Sequence, residues 1–306
     1  MSQITLLDGG MGQELIRRSG GNATPLWATQ ALLDRPGLVG EVHQAYADAG
    51  ATMATTNTYA LHRDRLKGGS TNHYAKDGEA LENLEAKHGA LVTQALKEAD
   101  CVRGTCRIAG SIGPLGASYR ADLNPDHETA VALYGEMANL IAPHVDILLF
   151  ETIASLDAAR ACLEAGRKTH KPVWLSFTVD DEDGTRLRSG ELVADAAKIA
   201  TDADAALANC SAPECMPHAI EKLAQSGRPI GAYANAFTQI TKDFIKGGAT
   251  ANDLSPRRDM GPKAYAAHGL KWAEMGATII GGCCETGPDH IAELATTLTS
   301  AGFELT

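Results

Sequence analysis

Short apolar runs, bounded by Gly, Pro, Asn or Asp, alternate along this chain with longer stretches of helical period. Eight runs are legible: 4–8 (ITLLD), 51–57 (ATMATTN), 107–113 (RIAGSIG), 145–151 (VDILLFE), 172–178 (PVWLSFT), 204–210 (DAALANC), 229–235 (PIGAYAN) and 277–282 (ATIIGG). Each is brief and nearly continuous in apolar character, so the strand it predicts is buried on both faces, as in a parallel sheet covered by helices. Amphipathic stretches lie between the runs at 36–50, 78–99, 127–142, 155–169, 214–226, 261–276 and 288–301. Two of them, RPGLVGEVHQAYADAG and GPKAYAAHGLKWAEMG, place Pro near the first turn and Gly just past the last, the boundary chemistry of a helix.

Eight β/α units in 306 residues predict an α/β protein, a single (β/α)8 TIM barrel that occupies 1–306 as one domain. A doubly wound sheet usually carries G-x-G-x-x-G after its first strand, and DGGMGQEL lacks that spacing. Two connections, 58–77 and 236–262, are long enough to serve as lids.

Composition narrows the function classes. A formal charge of −11 with scattered Lys and Arg offers no basic stripe for a phosphate backbone, so nucleic acid is excluded as a partner. No apolar run approaches the roughly 18 to 20 residues that span a bilayer, and MSQITLLDGG does not read as a leader, so a cytoplasmic protein is expected. Seven cysteines, an odd number, argue against a disulfide framework. Cys101, Cys106, Cys162 and Cys215 are isolated and read as small hydrophobes, and none of the ten histidines forms a metal-spaced cluster.

A barrel gathers its chemistry at the carboxyl ends of the strands. There the runs supply Asp8-Gly9-Gly10, Asn57-Thr58-Tyr59, Ser111 to Pro114, Glu151-Thr152, Ser176 to Thr178, Asn209-Cys210, Tyr233 to Asn235 and Gly282-Cys283-Cys284. Cys210 and the Cys283-Cys284 pair end runs two apart, close enough around a barrel for three thiols to converge. Thiolate ligands favour Zn2+, Cu(I) or an iron–sulfur cluster, and three of them on Zn2+ would leave one tetrahedral position open, as in a catalytic site. A second reading has Cys283 and Cys284 on opposite faces of the strand, one in the core and one toward the helices. Against it, the Gly281-Gly282 pair is expected to free the backbone so that both thiols turn inward. Asp8 and Glu151 suit the amino group of a thiol substrate, or equally a helix cap or a salt bridge. The acidic stretch Asp180-Asp181-Glu182-Asp183-Gly184 reads as a solvated turn.

These residues bring a family into view. The chain resembles the homocysteine S-methyltransferases: LLDGGMGQEL at 6–15, PLWATQALLDRPGLVGEVHQAYADAGA at 25–51, TTNTY at 55–59, GSIGPLGAS at 110–118, FET at 150–152, LANCSAP at 207–213 and WAEMGATIIGGCCETGPDHI at 272–291. The resemblance implies a Zn2+ cofactor on Cys210, Cys283 and Cys284, with homocysteine sulfur as the fourth ligand. It places the substrate amino acid against Asp8 and Glu151, with Gly9 and Gly10 amides helping its carboxylate and Asn209 on the same side.

The implied reaction is attack by homocysteine sulfur on the methyl group of a small onium donor: S-methylmethionine, S-adenosylmethionine, betaine or dimethylsulfoniopropionate. Trp27, Asn57, Tyr59, Tyr233 and Asn235 are the donor-side candidates, since onium groups bind over aromatic faces; Tyr119 is a further aromatic candidate for which packing is the favoured reading. The expected partners are these small molecules, with the chain a monomer or small homo-oligomer. Two rivals remain: a component that takes methyl from a separate corrinoid protein, and a non-catalytic homocysteine or metal sensor. Two departures from the family pattern stand out, Ala234 where Tyr-Pro-Asn is common and Glu285 where many members have Gly.

Overall fold

Eight of the apolar runs become parallel strands in a computed structural model that describes residues 2–20, 26–66, 84–238, 240 and 256–306. They are β1 (Gln3–Leu6), β2 (Met53–Thr55), β3 (Arg107–Ile112), β4 (Ile147–Ile153), β5 (Val173–Phe177), β6 (Ala205–Asn209), β7 (Ile230–Ala234) and β8 (Ile279–Gly282). A ninth, β9 (Glu304–Leu305), was not expected, because two residues carry no periodicity. The sheet order is β2-β3-β4-β5-β6-β7-β8-β1-β9. The sheet is curled. Leu7 bridges Met53 in parallel register, and Asp8 N donates to Met53 O at 3.1 Å. β9 pairs with the opposite half of β1 through Gln3 and Ile4.

Among the described residues the helices are α1 (Met11–Arg18), α2 (Ala28–Asp34), α3 (Leu38–Asp48), α4 (Arg63–Leu66), α5 (His88–Ala99), α6 (His127–Ile141), α7 (Leu156–Arg167), α8 (Val193–Ala200), α9 (Met216–Leu223), α10 (Pro262–Glu274) and α11 (Pro288–Ser300). Asp126 and Ser155 cap α6 and α7 by accepting the amides of Thr129 and Ala158. α10 and α11 begin on proline, whose missing N–H costs nothing there. The expected helix 78–99 begins outside the described residues, and so do most of the long connections 58–77 and 236–262. No helix among the described residues is long and apolar enough to cross a membrane.

Apolar side chains form two main bodies. The larger packs the helices onto the outside of the curled sheet. The smaller draws Leu7, Met53, Ala109, Leu149, Trp174, Leu207, Tyr233 and Ile279 from the strands in turn, or from the residue just past one, and fills the inside of the curl. That inner body supports the floor of the site described next.

One helix residue holds two strands in register. Tyr265 of α10 is fully buried, accepts the amide of Ala234 at 3.0 Å and donates to the carbonyl of Gly281 at 2.8 Å. Tyr265→Phe leaves that amide without its partner and should lower the unfolding free energy by about 1 to 3 kcal/mol at unchanged m-value. Urea denaturation followed by circular dichroism measures this, and wild-type stability would show that the hydroxyl does not tie β7 to β8.

Candidate active site

The thiols of Cys210, Cys283 and Cys284 meet at the carboxyl end of the sheet, all within 4.8 Å of one another. Cys210 follows β6 with φ of 53°, a left-handed conformation that swings its side chain toward β8. Its Sγ lies 4.0 Å from that of Cys284. After β8 the chain turns at once: Thr286 N and Oγ1 both donate to Cys283 O, at 3.2 and 2.6 Å. The third residue of that turn is Glu285, with φ of 66°. Such a position favours glycine, which explains why Glu285 stands out at this site.

The Gly281-Gly282 pair does not act through backbone freedom, as the sequence suggested. Both residues lie in β8 and neither has a positive φ. What each supplies is space. A Cβ on Gly281 would stand 2.5 Å from Leu7 Cβ, and one on Gly282 would stand 2.1 Å from Thr286 Oγ1. The pair lets β1 and the turn close onto the thiols.

This donor set fits zinc. Zinc–sulfur bonds of about 2.3 Å at tetrahedral angles put ligand sulfurs roughly 3.8 Å apart, which matches the cluster within small adjustments. Hydrogen bonds from Cys283 and Cys284 hold the Cys210 thiol well below its ordinary range, and the Tyr119 hydroxyl 2.9 Å away adds to this. The same bonds push Cys283 up. Tyr119 is therefore a cavity wall that touches a sulfur, not the packing residue expected. Arg188 lies behind it, 5.5 Å from the ring centroid, and pairs with Asp181 at 2.7 Å with both side chains buried. Asp181 also accepts the Ala212 amide, so it is a structural anchor for the loop after β6, not part of a solvated turn.

Asp8 and Glu151 face the same cavity as the thiols. Thr55 donates its amide and hydroxyl to the two Asp8 oxygens, each at 2.8 Å. Glu151 lies inside β4, not at its end, and accepts from the hydroxyls of Ser111 and of Tyr233, the latter at 3.1 Å. Burial pushes both carboxyls up to about 7; the Thr55 and Ser111 bonds oppose the shift, and Glu151 adds a repulsive push on Asp8. Asn209 does not line the cavity. Its amide oxygen accepts from Thr152 N and Ser176, and its nitrogen donates to Thr152 Oγ1 at 2.9 Å and to Glu151 Oε2 at 3.5 Å, so it braces Glu151 and the bend after it. Gly10 N donates to Thr286 O at 2.8 Å and is thereby committed, which removes it as an amide for a substrate carboxylate.

Trp27 and Tyr59 form an aromatic corner of the cavity, 5.8 Å apart and edge to face, with the Arg65 guanidinium over Tyr59. Asn57 lines it and donates to Ala28 O. Tyr233 sits with Glu151 instead, and Asn235 is buried outside the lining. Six non-glycine residues among those described have positive φ, and four of them, Trp27, Tyr119, Thr152 and Cys210, line this cavity. Strain of about 1 to 3 kcal/mol each persists only where surroundings enforce it, so its concentration here marks the functional end of the molecule. Nothing in the sequence marks these conformations or Arg188, and although Ser111 stands at a run end, Thr55 in the TTNTY motif and Asp181 in the acidic stretch, their roles depend on partners distant in the chain.

A curled parallel sheet whose carboxyl end gathers three thiols and two buried carboxyls around a cavity defines an α/β enzyme. The family description "Homocysteine S-methyltransferase" matches residues 5–298, and the chain belongs to that family. Homocysteine S-methyltransferase YbgG of Bacillus subtilis is 30% identical, over 95% of this chain and 93% of its own. Selenocysteine methyltransferase of Astragalus bisulcatus is 28% identical, over 97% and 93%. The homocysteine methyltransferase MmuM from Escherichia coli, solved in a metallated form, superposes with a TM-score of 0.76 at 27% identity and covers 96% of each chain.

The two carboxyls make a pH prediction. They titrate near 7 in the folded chain, against ordinary values of 3.8 and 4.5. Between those limits the folded state binds more protons than the unfolded one, so their contribution to stability is complete at low pH and is lost as pH rises to about 7. Urea denaturation of the substrate-free protein from pH 4.5 to 7.5 should show a fall that Asp8→Asn with Glu151→Gln reduces by on the order of a few kcal/mol. An identical pH slope in the double variant would contradict this assignment.

Proposed function

We propose that this chain is a zinc-dependent homocysteine S-methyltransferase that takes its methyl group from a small onium compound and releases methionine. The observation that carries the reading is the convergence of three thiols beside two buried carboxyls in one cavity. The Leu7–Met53 bridge supports a closed (β/α)8 barrel, read as a single domain over 1–306. A cytoplasmic monomer or small homo-oligomer fits the charge and composition.

Cys210, Cys283 and Cys284 hold the metal in this reading. When bound, zinc supplies deprotonation of a thiol near neutral pH and a fixed place for its sulfur. Asp8 and Glu151 hold the substrate ammonium, whose charge draws both carboxyls into the ionised form. The Thr55 and Ser111 hydroxyls keep their oxygens aimed. Gly9 is left as the candidate amide for the substrate carboxylate. The homocysteine sulfur lone pair forms the new bond to the methyl carbon, and the carbon–onium bond breaks with its electron pair returning to the donor heteroatom. The thiol proton leaves to solvent, and no general acid is needed. Trp27 and Tyr59 offer aromatic faces to the cationic donor, and orientation of the two reactants provides much of the acceleration.

Purified zinc-loaded protein should convert L-homocysteine to methionine with at least one of S-methylmethionine, S-adenosylmethionine, betaine and dimethylsulfoniopropionate, without any corrinoid protein. Cys210→Ala or Cys284→Ala should lose zinc and turnover while the far-ultraviolet circular dichroism persists. Retained zinc and rate in either variant, or no methionine from any donor, would overturn the proposal.

A further inference from the structure

Three residues far apart in sequence make one hydrogen-bonded line beside the cavity. Trp27 Nε1 donates to Gln13 Oε1 at 3.1 Å, and Gln13 Nε2 donates to Glu285 Oε1 at 2.6 Å. The indole N–H can only donate and the carboxylate accepts, so the Gln13 amide is fixed from both ends. Trp27 and Glu285 both hold left-handed backbone conformations, at φ of 47° and 66°. The indole also rests on Gly12, where a Cβ would come within 2.3 Å of the ring. Its position is thus set by a bare backbone on one side and by a polar tether at its nitrogen.

The far end of that tether lies on the turn that carries two of the thiols. Glu285 follows Cys284 directly, and the turn is fixed by Cys283 N on Ala234 O, by Cys284 O accepting from Ala236 N and by Thr286 O accepting from Gly10 N. Glu285 thus shares one hydrogen-bonded turn with Cys283 and Cys284. We propose that Glu285, acting through Gln13, is a positioning residue that sets the Trp27 wall of the methyl-donor pocket and couples that wall to the state of the thiol cluster. The assignment of a donor to that pocket rests on the function proposed above; the coupling itself does not.

Glu285→Gly suits the test because glycine occupies φ of 66° without strain, so the turn is kept while the acceptor is lost. Glu285→Gln keeps an acceptor oxygen and removes only the charge. In steady-state kinetics Glu285→Gly should raise the donor KM by about fivefold or more with the homocysteine KM unchanged, and Glu285→Gln should stay within about twofold of wild type. An unchanged donor KM in Glu285→Gly, an equal rise in both KM values, or a Glu285→Gln variant as impaired as Glu285→Gly would overturn the proposal.

A second readout needs no turnover. The emission assigned to Trp27, taken as wild type minus Trp27→Phe, should change when zinc is added to metal-free protein, and Glu285→Gly should lose most of that change. A full response in Glu285→Gly, or none in wild type, overturns the coupling whatever reaction the protein catalyses. A response that depends on Glu285 in a protein that forms no methionine upholds the coupling and overturns only the functional reading.

Discussion

The site depends on one close approach of backbone to backbone. A Cβ on Gly9 would stand 2.4 Å from Thr286 O, and one on Gly10 would stand 2.6 Å from Cys283 O. Only glycines let the loop after β1 settle onto the turn after β8. That contact is sealed where Thr286 O accepts from both Gly10 N and the Tyr46 hydroxyl, and where Gly282 N donates to Asp8 O. It brings the first carboxyl, two of the thiols and the tether to Trp27 to one place.

Such crowding is electrostatically expensive. Two carboxyls and three thiols are withdrawn from water at one end of the sheet, and burial opposes the charged form of each. Neutral donors offset part of this: Thr55 on Asp8, Ser111 and Tyr233 on Glu151, and Tyr119 on Cys210. Arg188, 5.5 Å from the Tyr119 ring centroid, supplies one positive charge behind the cluster. The remaining demand is for cations inside the cavity, which the divalent metal, the ammonium and the onium donor of the proposed reaction would meet together.

Much of the fold was legible because burial on both faces leaves a direct mark on sequence, and all eight apolar runs are strands with boundaries off by only a few residues. What escaped lacked that mark. The helix Met11–Arg18 is half polar and was read only as part of a motif, and the two residues of β9 carry no pattern. At the site, the run ends named the thiols and carboxyls, because strand ends face one way in such a sheet. They also named Asn209 and Asn235, which the structure places outside the cavity lining, since position at a strand end does not decide which side a residue faces. The link from Trp27 through Gln13 to Glu285 spans most of the chain and rests on two left-handed residues, neither of which a periodicity can show.

The central claim is that three cysteines form an incomplete sulfur shell that substrate sulfur completes. X-ray absorption of the zinc-loaded protein tests it directly. The account predicts three sulfur scatterers at about 2.3 Å with one lighter atom in the free protein, and four sulfurs after L-homocysteine is added. A shell dominated by oxygen and nitrogen, or a sulfur count that homocysteine leaves unchanged, would contradict it.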